Sequence, residues 1–166
     1  MLSTIGYEGA RPDDFIQTLQ SVGIDLVIDI RDRAQSRRPG FSKSSLGQIL
    51  TEGGIRYIHY KELGDPKEGR DAARAKDFEK FRRVFAGVLE TEAAKAALKR
   101  IAEASAIESV CLLCYERDQT HCHRALVASK IEAMTGRKTR HLGVRQFEQN
   151  HKRAGRVPDT REGVAT

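Results

Sequence analysis

The residues best suited to chemistry crowd into one stretch, Val110–Arg124, read VCLLCYERDQTHCHR. It brings two thiols, two imidazoles, two carboxylates and a guanidinium close together: Cys114, Glu116, Asp118, His121, Cys122, His123 and Arg124. Several chemistries fit these types. Cys122 stands where a helix should begin, and a thiol there is expected to have a lowered pKa and serve as a nucleophile. The alternative is a small buried residue, since free Cys is among the most buried types. Zinc or iron on Cys114, His121, Cys122 and His123 suits the ligand types. The C-x7-C-H spacing, however, is not that of a finger or ribbon, and adjacent Cys and His are awkward partners for one ion. No other cofactor is called for. Glu116, with Glu8 far upstream, suits general acid/base work or nucleophilic attack at a glycosidic carbon. Either acid is equally suited to pairing with an arginine.

These residues need elements to bring them together. Val110–Leu113 is a short apolar run of buried-strand type, and Leu126, Val127, Ile131 and Met134 follow at helical spacing. The stretch therefore reads as strand, polar loop, helix. The same alternation runs along the chain. Leu2–Ile5 is a strand ending in the turn Gly6-Tyr7-Glu8-Gly9, and Pro12 opens a helix that Gly23 stops. Asp25–Ile30 is the clearest buried strand. Ser36–Phe41 is a Pro-Gly loop, and Ser42 is placed to cap a helix from Lys43 to about Glu52. Ile55–Tyr60 is a third strand, followed by a charged loop to about Ala75. Lys76–Glu90 and Glu92–Ala104 are helices, Ser109–Leu113 is the fourth strand, and His121–Thr135 is the next helix. Arg137–Leu142 is a fifth strand, and Gly143 to about Lys152 is a last short helix.

Alternating strands and helices predict a single α/β domain: three layers, Rossmann-like or flavodoxin-like, with a mostly parallel sheet of about five strands. Its span is 1–142, with 143–166 as a basic C-terminal extension. In such a sheet every strand-to-helix loop lies on one edge, where ligands bind. That edge would gather Tyr7 and Glu8; Asp29, Arg31 and Arg37; His59; Cys114 through Arg124; and His141. Arg31, Arg37 and Arg124 suit a phosphate or carboxylate clamp, aided by the helix that starts at Cys122. Tyr7, His59, Cys114 and His123 complete the expected substrate-binding set around the catalytic candidates Glu8, Glu116 and Cys122.

Composition narrows the classes. The 166 residues suit one domain with one substantial core. No apolar run approaches the roughly 20 residues of a membrane span. The N-terminus lacks signal-peptide character, and three cysteines do not make a secreted disulfide framework, so a cytoplasmic setting is expected. The formal net charge of +6 favours anionic partners, a phosphate-bearing small molecule or nucleic acid. Residues 137–161 carry eight Lys/Arg against two acids, equal to the whole excess. Trp is absent and aromatics are 6%, so a base-stacking platform is poorly supported. No Walker loop, G-x-G-x-x-G or H-E-x-x-H occurs. The Cys-x5-Arg loop of a cysteine phosphatase is missing too, since Thr120 stands six residues after Cys114.

Thr4-Ile5-Gly6-Tyr7-Glu8-Gly9, Asp29-Ile30-Arg31 with Ser36-Arg37 and Phe41, Tyr57-His59 with Leu63-Gly64, Leu113-Cys114-Tyr115-Glu116, Cys122-His123-Arg124 and His141-Leu142 follow one another in order. Together they resemble family 488 of the domains of unknown function, over about residues 3–142. The resemblance implies a prokaryotic α/β domain with hallmark positions on Glu8, Arg31, Arg37, Cys114, Glu116, Cys122, His123 and Arg124. It implies no activity. Three readings stay open: an enzyme acting on a phosphate-bearing substrate, with a glycosidic bond as one target; a non-catalytic nucleic-acid-binding module using the Arg31–Arg38 loop and the basic tail; and a thiol- or metal-dependent redox or sulfur-transfer protein.

Overall fold

The computed structural model describes residues 1–148. A five-stranded sheet, parallel throughout, runs through the centre in the order β3-β2-β4-β1-β5. The strands are β1 (Leu2–Gly6), β2 (Leu26–Asp29), β3 (Arg56–His59), β4 (Val110–Cys114) and β5 (Arg140–Leu142). The described helices are α1 (Pro12–Ser21), α2 (Lys43–Glu52), α3 (Lys67–Arg74), α4 (Phe78–Leu89), α5 (Glu92–Ile107) and α6 (His123–Thr135). This is the three-layer, Rossmann-like arrangement expected from the sequence.

Strand periodicity divides the core in two. Leu2, Ile28, Val110 and Leu112 face Phe85, Leu98, Ile101, Val127 and Ile131 of α4, α5 and α6. Ile5, Val27, Cys111 and Leu113 face Phe15, Leu19, Leu46 and Leu50 of α1 and α2. Burying each such side chain contributes about 1.5–3 kcal/mol. β1 and β4 are buried along their whole length, because neighbours flank them and helices cover both faces. Cys111 is fully buried core.

Three local expectations change. Residues 67–74 form α3 rather than a loop. Its KEGRDAAR sequence buries only Gly69 and Ala72, so no apolar stripe announces it. Packing on α4 and the Lys67–Asp71 and Arg74–Asp71 ion pairs support it instead. Residues 143–148 are not helical. Their backbone is drawn onto α1, with Arg145 N–H donating to Thr18 Oγ1 (2.9 Å) and Phe147 N–H to Asp14 Oδ1 (3.0 Å). Ser42 stands at the α2 N-cap without capping it. Its hydroxyl instead bonds both the N–H and the C=O of Ser36, closing the 36–42 loop. The remainder of the expected last helix and most of the basic extension, residues 149–166, lie outside the described residues. Among the described residues no helix is long and apolar enough to cross a membrane.

Candidate functional site

β1 and β4 are neighbours, but their chains leave in opposite directions. β1 runs through α1, on one face, to β2; β4 runs through α6, on the other face, to β5. Such a switch point opens a crevice beyond the carboxyl ends of the strands. The ladder continues a short way into it, with Tyr7 N–H donating to Cys114 O (3.3 Å) and Glu8 N–H to Tyr115 O (2.8 Å). Only glycine fits at position 6, because a Cβ there would stand 1.7 Å from Glu116 O. Arg124, fully buried, holds the same loop: Nε donates to Thr4 Oγ1 (3.2 Å), Nη2 to Arg117 O (3.1 Å) and Nη1 to Glu116 O.

The loop so fixed places four reactive groups together. Cys114 Sγ lies 3.0 Å from Glu116 Oε2 and 3.6 Å from His123 Nδ1, and Cys122 Sγ lies 3.9 Å from the same Nδ1. One donor atom each from Cys114, Cys122 and His123 falls within 4.8 Å of the other two. Cys122 and His123, adjacent in the chain, both turn inward for a local reason. Cys122 is the extended N-cap residue of α6 (φ −126°, ψ 142°) and His123 the first helical one. The turn in the chain directs both side chains inward, where they are 2% and 4% exposed.

His123 is locked in a useful state. Its Nε2 lies 2.8 Å from Ile30 O, which only accepts, so Nε2 carries the hydrogen. Burial opposes its charge, but Cys122, the Ile30 carbonyl and Glu116 raise the ring's pKa to about 9, so a cation would take the Nδ1 lone pair by displacing a proton. Phe85 packs edge-on against the ring at 5.1 Å. A tetrahedral zinc ion at about 2.3 Å from sulfur and about 2.0–2.1 Å from nitrogen has S···N edges of about 3.5–3.6 Å. The 3.6 Å separation matches that spacing and the 3.9 Å one exceeds it; Cys114 Sγ also lies 4.0 Å from Nε2, beside the ring, so seating an ion on Nδ1 needs that side chain to rotate.

Electrostatics count against a free nucleophile. Burial pushes the Cys122 thiol well above its ordinary pKa, and the adjoining Cys114 adds to the rise. Burial raises Cys114 as well. The helix-start effect expected from the sequence is outweighed, because removing a thiolate from water costs more than the helix end returns. Glu116 behaves differently. Burial works against its charge, but hydrogen bonds from Cys114 and Cys122 and the charge of His123 hold it below the usual carboxylate value.

The expected arginine clamp does not assemble. Arg31 is 5% exposed and its donors are taken: Nε and Nη2 by Asp29 (2.9 and 2.6 Å), Nη1 by Tyr7 OH (3.0 Å) and Phe41 O (2.7 Å). Tyr57 OH also donates to Asp29 (2.6 Å). Tyr7 is buried and stacks on Phe41, and His59 Nε2 bonds Arg31 O at 2.6 Å. These residues brace the β1, β2 and β3 loops. Arg37 is exposed on the 36–42 loop. Glu8 accepts from Arg117 N–H (2.9 Å) and helps line an open cleft of about 690 Å³ with Gly9, Arg117, Asp118 and Gln119. His121 turns outward, 60% exposed, stacked on Phe78 and 3.6 Å from Asp118.

Asp65 received no role in the sequence reading. It is 6% exposed, and its Oδ1 has no hydrogen-bond partner among the described residues. A Cβ at Gly69 would lie 1.9 Å from that oxygen, so the carboxylate needs glycine there. Burial is the main cause raising its pKa to about 6; His123 and Arg70 oppose the rise, while Glu116 and Asp32 add to it. A Gly-Asp-Pro turn after a strand, with glycine a helical turn later, was the available signal, hidden in a run of charges.

The family model for a domain of unknown function, DUF488, matches residues 11–131. No curated protein and no solved structure matches the chain.

Proposed function

The chain belongs to the DUF488 family, and within that frame we propose that it is a metal-dependent enzyme whose cation, zinc or iron, is held by Cys114, Cys122 and His123 at the carboxyl edge of the sheet. The carrying observation is the convergence of the three donor atoms around a histidine whose other nitrogen is tied to Ile30 O. Metal-bound histidines are usually anchored in this way through the second nitrogen. Two thiols and an imidazole favour a soft or borderline ion. A bound cation also resolves the energetics, since it draws protons from both buried thiols.

Substrate would enter by the cleft of Glu8, Gly9, Arg117, Asp118 and Gln119, which adjoins Glu116 in the chain. That lining carries both signs of charge. It suits a polar small molecule better than a polyanion, and every guanidinium nitrogen of Arg31 and Arg124 already donates within the fold. This reading therefore ranks metal chemistry above the phosphate clamp and above nucleic-acid binding. Titration of the chelator-treated chain with Zn²⁺ tests it. Tight binding should weaken by more than about 10–100-fold, the scale of losing a group that only orients a metal ligand, in Cys122→Ser and in His123→Ala. Equal binding by all three proteins would refute it.

A further inference from the structure

The three buried donors leave a tetrahedral ion one position short. Among the described residues no further Cys or His supplies it: Cys111 faces the opposite sheet face, His121 is turned out onto Phe78, and His59 bonds Arg31 O. Structural zinc sites are closed by four protein ligands, whereas catalytic sites keep three and leave one position for water. Cys114, Cys122 and His123 are nearly inaccessible, while Glu116, in contact with Cys114, is half-buried and reaches solvent. Its Oε2, 3.0 Å from Cys114 Sγ, stands at the rim of the donor set. Its backbone is held by Arg124 and by the close passage of Gly6, and its Oε2 accepts the Cys114 S–H, a proton that a bound cation would displace, leaving that oxygen free beside the donor set.

We propose that this centre is hydrolytic: the fourth position takes a water molecule, and Glu116 accepts that water's proton. This rests on the metal reading above. In the step, one water O–H bond breaks and its proton moves to Glu116. The water oxygen uses the freed electron pair to bond to an electrophilic, carbonyl-type carbon of the substrate, displacing the C=O π pair onto the carbonyl oxygen, from which it returns as the leaving group departs. The bond from that carbon to a nitrogen or oxygen leaving group then breaks, and the leaving atom takes the proton from Glu116. No electron passes to or from the cation, which acts by polarising the water.

The test uses the full chain loaded with Co²⁺ as a visible probe, and with Zn²⁺ for turnover of 4-nitrophenyl acetate. The Co²⁺ protein should show tetrahedral thiolate bands that shift when azide is added. The Zn²⁺ protein should hydrolyse the ester in a metal-dependent way. Glu116→Gln should keep its cation and its bands but lose about 100-fold or more in rate, the scale of general acid–base catalysis. Bands indifferent to azide, no metal-dependent hydrolysis, or unchanged hydrolysis in Glu116→Gln would each overturn the hydrolytic inference while leaving a cation site. Failure to bind Co²⁺ or Zn²⁺ at all would overturn the metal reading with it.

Discussion

Asp65→Asn isolates one charge. The side chains are nearly isosteric, and the poorly partnered oxygen remains in both, so the difference between the proteins is the cost of ionising a buried carboxyl. Asp65 titrates at about 6 in the fold against an ordinary 3.8, chiefly because of burial. That gap is worth about 3 kcal/mol. The sign follows from proton binding. Between pH 4 and 6 the folded state holds a proton that the unfolded state has lost, so stability falls as pH rises through this range. Below about pH 4 the carboxyl is protonated in both states and contributes nothing. Asp65→Asn should therefore match the parent near pH 4, gain on it through pH 5 and 6, and level off at about 3 kcal/mol above pH 7. For a chain of this size that gain is about 6–12 °C in Tm. Urea unfolding of both proteins in chelator at several pH values measures it, and groups common to both cancel in the difference. A pH-independent difference, or a variant less stable at pH 8, would refute the reasoning.

Three further outcomes follow from the geometry. Gly6→Ala drives a Cβ into Glu116 O and should lose well over the 1–3 kcal/mol of ordinary overpacking, read by chemical denaturation, because the obstacle is backbone. Arg124→Met should cost about 2–6 kcal/mol, since it leaves the carbonyls of Glu116 and Arg117 without their donor at about 1–3 kcal/mol each. In the metal-free native chain all three thiols should react slowly with a disulfide reagent and faster only as pH rises well above neutrality; a thiol that reacts rapidly at pH 7 would restore the nucleophile reading.

The fold was legible where apolar spacing was strong. Val27 and Ile28 in β2, Val110 to Leu113 in β4 and the Phe81–Phe85–Leu89 stripe of α4 all stand where the pattern predicts. α3 was not legible, because ion pairs and a neighbouring helix support it rather than an apolar stripe. Cys114, Glu116, Cys122 and His123 share one strand-to-helix connection, so their place at one sheet edge was legible, while the inward turn of both Cys122 and His123 was not. Nor was what each group does there. The reversed pKa of Cys122 depends on burial that spacing cannot reveal. Arg31 and Arg124 look like ligand-binding cations in a sequence and become internal braces only once Asp29 and the Glu116 loop are in place. Asp65 gives a partial signal, and its burial comes from the close approach of Gly69.

Metal content decides whether Cys114, Cys122 and His123 form one cation site. Elemental analysis of the purified full chain, beside a Cys114→Ser/Cys122→Ser variant confirmed as folded by circular dichroism, addresses it most directly. The expected outcome is one zinc or iron per parent chain and none in the variant. A parent chain that carries only trace metal and takes up none from added Zn²⁺ or Fe²⁺, or a variant that retains a full complement, would contradict it.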